Sequence, residues 1–303
     1  MNFNILDLLK FLFAFAVIAI HTHVSEDRTT DCMAILNIVE NLAVPFFFIV
    51  SGFFLGRKIS VNNEFAVYKR YVHRILKLYI IWCILYLPIN LYYEIVVYKF
   101  SLGFTIFDII RGWLLVGENP YSWPLWYLLA SVVAVLLIYI FRKFKCNFNI
   151  ILLCSLIFFM IGWCYSTYHD LFSNFGHTEY ILSEIYDKTF RTTRNGFFEG
   201  WIYIMLGVSL AKWNSRKFSL ISICGGAILA FFNDTICLVP LGYGLVGTLI
   251  HIQWNGNVKI YKWLRTLSIL VYLIHMMVLV ALNNLYSNID NFTCICLQVC
   301  LVY

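Results

Sequence analysis

The sequence predicts an all-α, polytopic transmembrane helix bundle, on three observations. Of its 303 residues, 61% are hydrophobic and only 13% charged, far from the composition of a water-soluble domain. Apolar runs recur along the whole chain and approach the ~20 residues that cross ~30 Å of hydrocarbon as a helix. These runs are continuous, which favours helices over the alternating pattern of a barrel, the only other fold that satisfies its backbone in lipid.

The first run, 5–21, has no basic segment before it and no small-residue cleavage site in the "HTHVSEDRTTD" that ends it, so it reads as a retained span and not a signal peptide. Further spans follow at 33–55, 75–97, 126–141, 148–164, 197–211, 218–232, 236–250 and 266–283. The stretch "FTIFDIIRGWLLV" (104–116) is too short to cross. It carries Asp108 and Arg111 at i, i+3 and reads as an interfacial or re-entrant helix. The tail "FTCICLQVCLVY" (292–303) is also too short to cross and reads as an incomplete last helix. The expectation is therefore nine to ten spans in one integral membrane domain, 1–303.

Charge placement orients the chain. Fourteen Lys and Arg fall in every second loop (Arg57, Lys58, Lys69, Arg70 and Arg74; Arg142, Lys143 and Lys145; Lys212, Arg216 and Lys217; Lys259, Lys262 and Arg265), against six in the longer intervening loops. The positive-inside rule then predicts a cytoplasmic N-terminus in a multi-pass cell-membrane protein. The net charge of +6 is thus a topology signal and not a nucleic-acid footprint. The ten cysteines stand singly, without metal or redox spacing, and no metal site is expected.

Several polar residues sit where lipid makes them costly. Lys10 and His21 are eleven positions apart in the first span, which returns to nearly the same helix face. Asp7 lies three positions before Lys10 and could pair with it, although Lys10 could equally snorkel to the interface. The second span holds Asn37, Glu40 and Asn41 on one face, at a depth matching His21, the partner expected for Glu40. The alternative for this cluster is helix–helix glue. Pro45 and Gly52 interrupt the same helix, Ser51-Gly52 allowing close backbone approach. In "SILVYLIHMMVL", Ser268, Tyr272 and His275 again share a face, with His275 near mid-membrane. The glycines of "PLGYGLVG" (240–247) suit helix packing.

Together these residues resemble the membrane-bound acyltransferase 3 family. Lys10-x10-His21 is similar to its Arg/Lys-x10-His signature, "VPFFFIVSGFFL" (44–55) to its second-helix motif, and "YKRYVHRILKLY" (68–79) to its basic loop and third-helix start. The stretches "WPLWYLLA" (123–130), "LGVSL" (206–210) and "SILVYLIH" (268–275) follow in the family's order. A lysine stands where arginine is more usual, which reduces any bidentate contact to a point charge.

The resemblance implies O-acylation of an envelope carbohydrate or similar acceptor by cytoplasmic acyl-CoA, with acetyl as the expected group and no bound cofactor. His21 is then the expected general base or proton shuttle, Glu40 its orienting partner, and Lys10 a contact to the donor or the developing oxyanion. Arg70 and Arg74, one helical turn apart, with Lys69 and Lys77 adding charge, are candidates for the donor's phosphates, or simply topology determinants. Tyr272, His275, Asn37 and Trp126 complete the candidates. One branch of the family, the membrane domain of VanT-type serine racemases, is thought to import serine, so a small-solute transporter is the alternative class.

Overall fold

The structure, a computed structural model, describes residues 3–22, 31–169, 177–213 and 215–285. The tail from 292 and most of the segment after His21 lie outside the described residues. Among those described there is helix and no strand: α1 (Asn4–His21), α2 (Asp31–Ile59), α3 (Glu64–Leu91), α4 (Leu102–Arg111), α5 (Trp126–Lys143), α6 (Phe148–Thr167), α7 (His177–Phe190), α8 (Trp201–Lys212), α9 (Arg216–Ala230), α10 (Leu238–Leu249) and α11 (Val258–Leu285). Three π-helical turns, Tyr92–Val97, Gly112–Val116 and Gly196–Gly200, extend α3 and α4 and lead into α8.

Each expected span before the tail corresponds to a helix, but their lengths differ from the expectation. Among the described residues, six helices are long and apolar enough to cross a membrane: α1, α2, α3 with its π-helical extension, α5, α6 and α11. The segments 197–211, 218–232 and 236–250 form α8, α9 and α10, of 12, 15 and 12 residues, or roughly 18–23 Å at 1.5 Å per residue. That is short of a full crossing by length alone. The protein is a multi-pass membrane protein, and its surface agrees with a lipid solvent. Ile80, Ile81, Ile84 and Leu85 of α3 and Leu153, Ile157 and Ile161 of α6 are exposed, as an inverted polarity requires.

Helix ends follow local chemistry. Asn63 caps α3, its Oδ1 accepting from the backbone N–H groups of Phe65 and Ala66 at 3.0 and 3.4 Å, and Ser101 and Ser215 cap α4 and α9. Arg57 and Lys58 end α2, and Arg142 and Lys143 end α5, favourable at the negative pole of a helix. Gly117 stops the α4 extension with φ 87°, and a Cβ there would lie 2.8 Å from Trp126 Cα, so only glycine fits.

The chain divides into two compact units. The first comprises residues 1–51 and 210–303. In it α1 packs on α11, with Ala14, Ile18 and Val271 forming a buried cluster against Phe15 and Phe47. The helices α9 and α10 also pair closely, because Gly244 and Gly247 of α10 face the Ser219 carbonyl and hydroxyl of α9, leaving no room for a Cβ.

The second unit comprises residues 52–209 and centres on α3 and α5. Gly52 meets the Ile204 carbonyl where a Cβ would lie at 2.1 Å, the close backbone approach expected of Ser51-Gly52. α4 is amphipathic in the inverted sense. Thr105, Asp108 and Ile109 are buried while Leu102, Phe104, Ile106, Phe107 and Ile110 are exposed, which suits the interfacial or re-entrant role expected for 104–116. α7, within the segment 165–196, was not expected as a helix.

Candidate functional site

The expected site residues divide between the units: Lys10, His21, Asn37, Glu40, Tyr272 and His275 in the first, Lys69, Arg70, Arg74 and Trp126 in the second.

In the first unit, packing of α1 on α11 brings two histidines together. The rings of His21 and His275 have centroids 5.2 Å apart and are tilted by 30°. His275 is fully buried. Its Nδ1 lies 2.8 Å from the Tyr272 carbonyl. A carbonyl only accepts, so Nδ1 carries a hydrogen and donates it. Its Nε2 makes no hydrogen bond to the described protein and presents a bare lone pair. Tyr272 packs at 6.2 Å from the His275 ring and 5.7 Å from Phe47. Glu40, 2% exposed, is buried in α2, and Asn41 donates to Asn37 Oδ1 at 3.1 Å one turn along. The His275 ring faces that of His21.

The cost of Lys10 in an apolar helix is met locally, as its spacing from Asp7 suggested. Its Nζ lies 3.5 Å from Asp7 Oδ1, and Arg265 Nε of α11 approaches the same oxygen at 3.8 Å. Two cations share one largely buried carboxylate.

In the second unit, Lys69, Arg70 and Arg74 are exposed on the first turns of α3. Arg70 Nε donates to the Ala66 carbonyl at 3.3 Å, and Arg74 lies over the Tyr71 ring at 5.8 Å. Lys58 at the end of α2 stands within electrostatic reach of both arginines. The nearby Glu64 is taken by Arg142, which grips it with two hydrogen bonds of 3.0 Å. Lys58, Lys69, Arg70 and Arg74 thus form an exposed cationic patch. Trp126 is buried, 5% exposed, with Arg194 over its ring at 5.0 Å.

A polar cluster in the second unit was only half visible in the sequence. Asp108 is 2% exposed and accepts from both Arg111 and Arg191, the latter at 2.7 and 2.6 Å. Beside this group lies Glu94, fully buried on the π-helical extension of α3, with both carboxylate oxygens lacking a hydrogen-bond partner among the described residues. The i, i+3 spacing marked Asp108 and Arg111. The signal for the rest was an acid and an amide, Glu94 and Asn90, four apart in an otherwise apolar run, the same reasoning that singled out Glu40. Nearby, Glu118 is half-buried, and burial pushes its carboxyl above the usual range against the opposing pull of Arg194 and Arg191. Burial likewise pushes the Tyr186 hydroxyl of α7 up to about 12.

A family model for an acyltransferase domain matches residues 3–302. The chain belongs to the acyltransferase 3 family. Its similar proteins include two amino-acid racemases of Enterococcus faecalis. One is 23% identical over 94% of this chain and 42% of its own length, the other 28% identical over 88% of this chain and 38% of its own. A serine/alanine racemase of Enterococcus gallinarum is 25% identical over 77% of this chain and 34% of its length. The chain thus spans less than half the length of the curated relatives it matches. No solved structure matches it. Among the described residues of this acyltransferase-3 chain, no group of three or more His, Cys, Asp or Glu is placed to hold a metal ion.

Proposed function

We propose that the chain is an O-acyltransferase of the cell membrane that moves an acyl group, acetyl in the simplest case, from cytoplasmic acyl-CoA to a hydroxyl of an envelope carbohydrate. The observation that carries this reading is the histidine pair, His21 and His275 at 5.2 Å between membrane helices, in a chain of the acyltransferase 3 family. Acyl transfer needs a base that titrates near neutrality, and an imidazole supplies it.

In this reading His21 takes the acceptor's hydroxyl proton as that oxygen attacks the thioester carbonyl carbon. The C–S bond then breaks, and the imidazolium returns the proton to the departing thiolate. Glu40 orients His21 and stabilises its charged form, and Lys10 faces the donor or the oxyanion. Arg70 and Arg74, with Lys58 and Lys69, take the donor's phosphates; acyl-CoA is a substrate and not a retained cofactor. Asn37 and Tyr272 of the first unit and Trp126 of the second are the further candidates.

A second reading, a transporter of a small polar solute such as L-serine, is favoured by the racemases among the relatives. In it His21, Glu40 and His275 form a binding site or proton relay. One experiment separates the two. Purified protein in nanodiscs is given labelled acetyl-CoA and envelope carbohydrate, while proteoliposomes are tested for serine uptake. Acyl transfer lost in His21→Ala supports the first reading; uptake without transfer establishes the second.

A further inference from the structure

The cluster around Glu94 has a chemical bias that the acyl-transfer reading does not use. Asn90 and Glu94 lie one turn apart on the end of α3, and Asn90 spends its amide N–H on the Pro120 carbonyl at 2.5 Å. That leaves four acceptor atoms, Asn90 Oδ1, both Glu94 oxygens and Asn119 Oδ1, buried and without hydrogen-bond partners in the described protein, against Arg111 Nε as a donor and the Thr105 hydroxyl, which can donate or accept. Asn119 is held against the bare Cα of Gly112, where a Cβ would lie 2.1 Å from its Oδ1. Buried acceptors left open cost about 1–3 kcal/mol each, and more for a charged group, so a native protein retains such a set where something else supplies the donors.

The charge balance narrows what that is. Asp108 already takes the hydrogen bonds of Arg111 and Arg191, so the carboxylate of this cluster with no cation in hydrogen-bond contact is Glu94, on which the two guanidinium groups act only through space. Two neighbouring guanidinium groups disfavour a divalent metal ion, whereas an ammonium group brings a single positive charge and three donors to an oxygen-lined site. Arg191, its side chain 34% exposed where that of Asp108 is 3% exposed, marks the open side. It adopts φ 60°, a left-handed conformation that a non-glycine residue keeps only when held there. Glu94 itself sits on a π-helical turn, a local widening that recurs at functional sites.

We propose that Glu94, with Asn90, Thr105 and Asn119, binds the ammonium group of a small amine-bearing ligand, and that Arg111 takes an oxygen function of the same ligand. The shared chemistry is a primary ammonium next to an oxygen, as in a free amino acid or an amino sugar. The site lies wholly within the second unit, and its occupancy is read as binding without any turnover, so it stands or falls apart from the acyl-transfer reading.

The test is binding of small probes to the purified full chain in nanodiscs, by calorimetry: L-serine against glycerate, and D-glucosamine against D-glucose. At least one amine is expected to bind tighter than its hydroxyl counterpart by about tenfold or more, since a charge-assisted contact replaces a neutral one. Serine preference identifies an amino-acid ligand, glucosamine preference an amino sugar. Glu94→Gln, isosteric but uncharged, should erase the preference while the protein elutes and melts as wild type. Equal binding of amine and hydroxyl partners by the wild-type protein, binding of neither amine, or a preference that survives Glu94→Gln overturns the proposal. The first two outcomes need no variant to fold.

Discussion

His21 in α1 and His275 in α11 present their rings to each other at 5.2 Å, and His275 donates Nδ1–H to the Tyr272 carbonyl while its Nε2 makes no hydrogen bond to the described residues. If His21 is the general base, His21→Ala should lower acyl transfer by about 10²–10⁴-fold while membrane insertion and donor binding stay near wild type. His275→Ala should also reduce transfer, because it removes the ring that faces the base. Turnover from labelled acyl-CoA by purified variants measures both. Wild-type turnover by the His21 variant would sink the assignment.

Lys10 has a partner that Arg265 shares. Lys10→Leu leaves Asp7 with Arg265 at 3.8 Å, so the fold is expected to persist, with the loss falling on KM for the donor more than on acceptor deprotonation. Lys10→Arg, the family's commoner residue, should retain activity. Steady-state kinetics with each substrate varied in turn distinguish these outcomes.

The cationic patch of α3 is expected to address phosphates. Replacing Arg70 and Arg74 together by glutamine removes two charge-assisted contacts, each worth about 1.5–3 kcal/mol if made. Acyl-CoA binding should weaken by at least about tenfold, with acceptor binding unchanged. Titration of acyl-CoA into nanodisc-embedded variants reads this directly. Unchanged affinity in well-inserted protein would leave the arginines as topology determinants.

Orientation has its own test. The helix ends carrying Arg74, Arg142, Arg216 and Lys262 are expected on the cytoplasmic side. A cysteine placed at position 143 or 216 should resist an impermeant thiol reagent in intact cells and react after permeabilisation. Labelling of intact cells would reverse the topology.

Glu118 makes stability depend on pH. Burial raises its carboxyl from the ordinary 4.5, so the folded protein favours the protonated form. The unfolded chain loses that proton first, and the resulting cost appears as pH rises through about 4.5 and grows until the folded carboxyl also ionises. Glu118→Gln should therefore match wild type near pH 4 and unfold at higher temperature than wild type at pH 8. A melting series across that range checks the sign, and an equal or lower midpoint at pH 8 refutes it.

Sequence alone determined the helical membrane class, the order of the helices, and the polar residues that lipid makes costly, because a bilayer imposes one-dimensional rules: run length, backbone satisfaction and loop charge. It also linked Lys10 to Asp7 and Asp108 to Arg111, since i, i+3 spacing is a property of one helix. What only the tertiary structure decided is which distant groups meet. The pairing of His21 with His275 depends on how α1 packs on α11, and the second cation on Asp7 comes from that same packing. Arg191 reaches Asp108 across 83 residues, and the open acceptors around Glu94 follow from which partners are already engaged. The lengths of α8, α9 and α10 were also beyond the hydropathy pattern, and the close α9–α10 pairing rests on Gly244 and Gly247 meeting Ser219.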